Sequence, residues 1–168
     1  MLHSTAGRVL GIAGLLTLAG LTAPRTEASG AFIWPVTGRV TATTRYPSGA
    51  VHSGSADIGA PSWRSIGSGR YGRAYAYWEG GGCGYYVYMS HSSGYTSLYC
   101  HMVRWPSVSG GRSIGTNANI GYVGSTGHST GPHCHYAIKR WGTRLAIPGN
   151  YIGKYVYRGR VAGWFSGL

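Results

Sequence analysis

The amino-acid sequence predicts a mainly β protein, and three observations carry that reading. Glycine is abundant, at 30 of 168 residues, and 14 tyrosines accompany it. The apolar runs are short and are broken every few residues by Gly, Ser or Pro, which is the punctuation of strands joined by tight turns. No long segment repeats apolar residues at the 3.6-residue spacing of an amphipathic helix.

The clearest element is a hairpin. Tyr85 to His91 and Tyr95 to Met102 are alternating runs separated by Ser92, Ser93 and Gly94, the length and composition of a hairpin connection. Its tyrosines, Tyr85, Tyr86, Tyr88, Tyr95 and Tyr99, suit a pleated, half-buried surface, and one or two could line a groove for a flexible peptide. Further strands are expected at Ala31 to Thr43, Arg70 to Glu79, Asn119 to Val123, His133 to Lys139 and Leu145 to Tyr157. With no repeat and no low-complexity linker, residues 31–168 read as one antiparallel β-sheet domain, long enough for a single core.

Residues 1–30 differ in character. Arg8 closes a short polar start, an uncharged stretch from Val9 to Ala23 follows, and Thr26 and Ala28 offer small side chains where a signal peptidase cuts. We expect a signal peptide cleaved after Ala28, with Ala23 as the alternative. Val9 to Leu21 is shorter than the ~20 residues of a membrane span, so the chain is expected to be secreted and associated with a cell wall. An oxidising space permits disulfides among Cys83, Cys100 and Cys134, one of which must stay unpaired internally. Strand alternation places Cys100 and Cys134 away from neighbouring histidines, and we expect those two to pair.

The charge balance is 15 Lys and Arg against 3 Asp and Glu, a formal +12. That favours a polyanionic setting without choosing among nucleic acid, membrane surface and wall. Arginines such as Arg64, Arg70, Arg73, Arg158 and Arg160 keep a nucleic-acid or anionic-membrane binder open, but that reading leaves the histidines unexplained. Once Glu27 is removed with the leader, Asp57 and Glu79 are the remaining acids, which disfavours chemistry that needs paired carboxylates.

Histidine is clustered instead. His52 lies in VHSGSADIGAP, His91 and His101 in the hairpin, and His133 and His135 in GPHCHYAI. In a strand, residues two apart share a face, so His133 and His135 project together. With His52, Asp57 and His101 they make a mixed nitrogen and oxygen set that suits zinc with an open position for water. His91 is expected at the turn or surface, His128 in an exposed loop, and Glu79 exposed. Trp63, Trp78, Trp105 and Trp141 are expected in the core or at its rim.

Taken in order, HSGSADIGAP, YTSLYCHM and IGYVGSTGHSTGPHCHYAI resemble the lysostaphin-type zinc endopeptidases of peptidoglycan, and WPVTGRVTATTRY resembles that family's opening. The resemblance implies that His52, Asp57 and His135 bind one zinc ion and that His101 and His133 stand beside it as catalytic groups. It implies a compact antiparallel sheet with the site in a groove, and the peptide part of bacterial peptidoglycan as partner. We expect a monomer with no specific nucleic-acid partner; the alternative is a non-catalytic wall-binding or adaptor protein of the same fold, against which the complete ligand set speaks. One departure is visible: four residues separate His52 from Asp57 where the family usually has three, so the loop must bulge there, and Gly54 makes that easy.

Overall fold

Strands form where β-branched and aromatic residues alternate with polar ones, and the turns between them carry glycine. The computed structural model describes residues 31–44, 52, 54–108 and 110–163. In chain order its strands are β1 (Gly38–Ala42), β2 (Ala56–Gly59), β3 (Ser65–Gly67), β4 (Gly72–Glu79), β5 (Gly84–Ser90), β6 (Tyr95–Met102), β7 (Arg112–Ile114), β8 (Asn119–Tyr122), β9 (His133–Arg140), β10 (Thr143–Arg144) and β11 (Tyr155–Val156). One large sheet has the order β11-β1-β2-β9-β6-β5-β4-β7, with β10 beside β9, and β3 pairs with β8 in a small second sheet. Every pairing is antiparallel. The protein is mainly β, as expected.

One face of the large sheet is the core. Val87, Met89, Tyr99, Met102, Tyr136 and Ile138 are buried there against Ile66 and Ile120 of the small sheet and Phe32, Trp34 and Val36 of the entering segment. Stacked rings of Tyr99 and Tyr136, 5.2 Å apart, bind the two central strands from below. The other face of the same strands is more open, and there the candidate site lies.

The hairpin forms as expected, with Ser92–Gly94 as a single 3-10 turn between β5 and β6. Gly94 and Ser93 both have positive φ there, 71° and 59°, which lets the chain reverse in three residues. Two expected strands shrink. Ala31 to Thr43 keeps only Gly38–Ala42, and Leu145 to Tyr157 becomes a 3-10 turn at Gly149–Tyr151 followed by Tyr155–Val156. Pro148 and a Gly153 at φ 85° break the second run. The expected leader lies outside the described residues.

The cysteine expectation is corrected. Cys83 pairs with Cys100, and Cys134 is a free, buried thiol. Cys100 faces His135 across the ladder, and directly opposed residues share a face, so Cys100 lies on the open side while Cys134 points into the core. Simple alternation failed because β6 bulges. Tyr85 pairs with Met102 and Val87 with Tyr99, so two steps on β5 meet three on β6. The extra residue falls at Cys100 and His101, with His101 in the left-handed region at φ 64°. Both therefore face outward, and the Cys83 turn comes up to meet Cys100.

His91 stays at the hairpin turn, yet its ring is tucked inward rather than exposed. It packs edge-on against Phe32 at 5.1 Å, and its Nδ1 donates to the Tyr71 carbonyl at 2.8 Å. Trp63, Trp78, Trp105 and Trp141 all lie on the surface, none in the core. His128 and Glu79 are exposed as expected.

Candidate metal centre

Three adjacent strands set the site. On β2 and β9, Asp57 opposes His135 and Gly59 opposes His133, and on β6 Cys100 opposes His135 from the other side. Asp57 and His135 therefore sit in one row of the open face, with His133 two residues away on the same face. The bulge in β6 swings His101 over them, so that its ring centroid is 4.5 Å from that of His133 and 6.1 Å from that of His135.

His52 arrives from outside the sheet. The residues between it and Asp57 turn through Gly54, at φ 78°, whose carbonyl accepts from Ile147 N–H at 2.9 Å. Asp57 reaches the centre: its Oδ1 is 2.7 Å from His135 Nδ1, its Oδ2 is 3.3 Å from His52 Nε2, and its Oδ1 is 3.8 Å from His133 Nε2. His52, Asp57 and His135 each offer one ligand atom, and these atoms lie within 4.8 Å of one another.

Backbone carbonyls orient the rings. His52 Nδ1 faces the Thr43 carbonyl, His101 Nδ1 the Thr126 carbonyl at 2.8 Å, and His133 Nδ1 the Gly131 carbonyl at 2.8 Å. A carbonyl only accepts, so each Nδ1 carries a proton and Nε2 is the nitrogen left to face the centre. Holding one ring nitrogen by a carbonyl is the arrangement metal-ligating histidines use to fix tautomer and aim. Thr126 ties this shell together, because its hydroxyl also donates to the Met102 carbonyl at 2.7 Å. The 124–133 segment runs close under β6: a Cβ on Gly124 would come within 2.4 Å of the Val103 backbone.

Protons on His52 Nε2 and His135 Nδ1 face the Asp57 carboxylate, in the positions from which those atoms would bind a cation. Burial alone would raise the Asp57 pKa, but hydrogen bonds from His135 and His52 outweigh it and hold the carboxyl well below the usual carboxylate range. Burial would lower His52, yet the Asp57 carboxylate and the Thr43 carbonyl prevail and its net shift is upward. His101 goes the other way: burial pushes its imidazole down to about 4, against the Thr126 carbonyl, so the ring is neutral near pH 7. With those two protons displaced, an ionised carboxylate and two imidazole lone pairs make a nitrogen and oxygen donor set suited to zinc, so the residues fit the metal the sequence suggested.

Two grooves adjoin the centre. One of about 370 Å³ lies between Thr41, Gly59 and the 130–133 segment, with Asp57 and His133 in its wall. The other, about 410 Å³, runs along the open face of β4, β5, β6 and β9 past Tyr77, Tyr86, Tyr88, Leu98, Lys139 and Arg144. Of the site's histidines His133 lines the first groove, which is the trough at the centre.

The structure thus gathers all five residues singled out in the sequence. Sequence reasoning missed the carbonyls of Thr43, Thr126 and Gly131 and the part of Cys83 beside the site. The Gly- and Ser-rich run before His133 was the available signal, since such a run places backbone close to side chains.

Comparison with known proteins agrees. Residues 50–147 match Peptidase family M23. The peptidoglycan DD-endopeptidase ShyC of Vibrio cholerae is 35% identical over 106 residues, covering 61% of this chain and 21% of that protein. Other curated relatives are matched over 13% of their length, so the chain spans only a small part of the curated relatives it resembles. Among solved structures, a zinc-containing peptidase of Vibrio cholerae superposes with TM-score 0.61 at 24% identity, over 68% of this chain and 38% of the other. The catalytic domain of the antimicrobial peptidase lysostaphin from Staphylococcus simulans gives TM-score 0.56 at 23% identity, over 67% and 88%.

Proposed function

Because the chain belongs to peptidase family M23, we propose that it is a secreted, zinc-dependent endopeptidase that hydrolyses peptide bonds in bacterial peptidoglycan, either a stem cross-link or an interpeptide bridge. The observation that carries this is the convergence of His52 Nε2, Asp57 and His135 Nδ1 beneath two further imidazoles. In this reading His52, Asp57 and His135 hold one Zn2+, and His101 and His133 are catalytic. A relative named for peptidoglycan endopeptidase activity supports the substrate class.

A bound zinc ion supplies Lewis acidity, drawing electron density from the scissile carbonyl and making water acidic enough to react near neutral pH. The remaining work belongs to the chain. His101, neutral and with its Nε2 lone pair aimed inward, takes a proton from water as the oxygen attacks the carbonyl carbon. His133 Nε2 accepts the second hydrogen and orients that water. The proton on His101 then passes to the amide nitrogen as the C–N bond breaks, so the amine leaves neutral. The Thr126 and Gly131 carbonyls keep both rings in the tautomer this requires.

The test is wall zymography with and without a chelator, beside elemental analysis of the purified protein. We expect clearing that the chelator abolishes and zinc restores, with about one zinc per chain. Failure of the zinc-loaded protein to release new amino groups from any purified wall sinks the proposal.

A further inference from the structure

The second groove shares a sheet face with the metal centre. On β9, His135, Ala137 and Lys139 alternate onto one side. Ala137 opposes Leu98 on β6, and Leu98 opposes Tyr88 on β5. Directly opposed residues share a face, so Tyr88, Leu98 and Ala137 floor a groove of about 410 Å³ that begins one step beyond His135. Cys83 lines it as well, and the Cys83 carbonyl accepts from the His101 N–H at 2.8 Å.

Two cations line the same groove. Lys139 and Arg144 are cross-strand partners on β9 and β10. Like charges set directly opposite each other destabilise a ladder, so strand pairing gives no reason for this choice. Lys139 is exposed, whereas Arg144 is half-buried and held in place. Its guanidinium donates to the Ser55 hydroxyl at 2.8 Å, and its Cδ would lie 3.6 Å from a Cβ on Gly54. Gly54 and Ser55 belong to the loop that joins His52 to Asp57, so Arg144 spans from that loop to the groove. The acidic side chains among the described residues have other tasks: Asp57 meets the histidines, and a Glu79 oxygen accepts from the Cys83 N–H at 2.7 Å.

We propose that Arg144 and Lys139 form a carboxylate clamp that makes the protein selective for peptides with a free carboxylate a few residues from the scissile bond; it rests on the peptidase reading above. A guanidinium matches the two oxygens of a carboxylate with parallel N–H bonds, and an ammonium adds a compact point charge. A carboxylate between the two cations offsets the repulsion that the ladder imposes on them. His135 and Lys139 are four positions apart, about 13 Å of strand. An extended peptide lying over Tyr88 and Leu98 covers that length in about four residues, so its carboxylate meets the cations while its scissile carbonyl lies at the histidines. The floor between is neutral, which suits a peptide carrying one anion and offers nothing to a chain of regularly spaced phosphates.

The test uses the mature protein and a soluble cross-linked stem peptide made in two forms, identical except that the carboxylates are free in one and carboxamides in the other. Calorimetry follows binding, and release of amino groups follows hydrolysis. We expect the acid form to be favoured by roughly tenfold or more in Kd and in kcat/KM, with KM carrying most of the difference. In Arg144→Gln and in Lys139→Met the acid-to-amide ratio should fall toward one. In Lys139→Glu, a change at an exposed side chain, it should fall below one. Taking the ratio on each protein removes any effect of the substitution on folding or zinc content. Equal handling of the two forms by the wild type, or an unchanged ratio in all three variants, overturns the clamp. Hydrolysis of both forms at one rate rejects this inference alone, whereas preferential binding of the acid form without hydrolysis of either form or of any wall rejects the peptidase reading and leaves the clamp standing.

Discussion

His133 and His135 share one strand face, yet their ring nitrogens are committed differently. His135 turns Nδ1 to Asp57, while His133 gives Nδ1 to the Gly131 carbonyl and keeps Nε2 3.8 Å from the same carboxylate. In the proposed three-residue ligand set, only one of them completes the set if a position is to stay open for water. His135→Ala should lose most of its zinc and its activity together. His133→Ala should keep near one zinc per chain while turnover falls by roughly a hundredfold, and His101→Ala should resemble it. Elemental analysis beside wall-hydrolysis rates decides, and zinc loss confined to His133→Ala would reverse the roles. That these five side chains would come together was legible in the sequence because donor chemistry is carried by residue type. Their orienting partners were not, because a backbone carbonyl has no signature at Thr43, Thr126 or Gly131. His91 shows the converse: its place at the turn was legible, its burial was not, since the Phe32 that covers it lies far away in the chain. Burial pushes its imidazole down to about 4, against the opposing Tyr71 carbonyl. The unfolded chain titrates at about 6.5, so between the two values it binds a proton that the native state lacks. Stability from this residue is therefore complete above about pH 6.5 and is lost as pH falls toward about 4. In urea unfolding, the wild type should lose on the order of 2 kcal/mol more than His91→Asn over that range. Parallel losses in the two proteins would show that another group governs acid sensitivity.

At the scale of elements, the β5–β6 hairpin was legible because its whole logic is local: alternation, a Gly-containing turn, alternation again. β2 was not, since Asp and Gly are poor strand formers, and Ala56–Gly59 becomes a strand only through its ladders to β1 and β9. The bulge at the end of β6 was the consequential omission. It reverses the inferred side of Cys100 and brings His101 to the site, and nothing in CHM announces an extra residue in register. The resulting bridge joins Cys83 to Cys100, while the Cys83 carbonyl accepts from His101 N–H at 2.8 Å. The bridge closes a loop with sequence separation 17, which corresponds to about 3 kcal/mol of stabilisation. A Cys83→Ala, Cys100→Ala variant should lose roughly that amount in denaturant unfolding. Its zinc content should hold, because none of the three proposed ligands is touched, while wall hydrolysis falls as His101 loses its anchor. Peptide mapping without reduction should find Cys83 linked to Cys100, with Cys134 alkylated only after unfolding. A native protein in which Cys134 reacts at once would contradict its burial behind His135.

The whole molecule carries a formal charge of +12, with acidic side chains so few that Asp57 sits inside the site and Glu79 caps the Cys83 turn. That excess was plain in the sequence, whereas its distribution relative to the trough depends on the fold. Long-range attraction to an anionic wall raises encounter and residence without entering the chemical step. Screening should remove it: the Debye length shrinks from about 10 Å at 0.1 M salt to about 3 Å at 1 M. Hydrolysis of intact walls should therefore decline steeply as salt rises. A short neutral cross-linked peptide, which meets only the trough and the histidines, should be cut with much weaker salt dependence. Measuring both responses on one preparation separates surface charge from chemistry. If the peptide and the wall lose rate in parallel, the charge acts on the fold or on the site itself, and attraction to the wall does not explain why the chain is so basic.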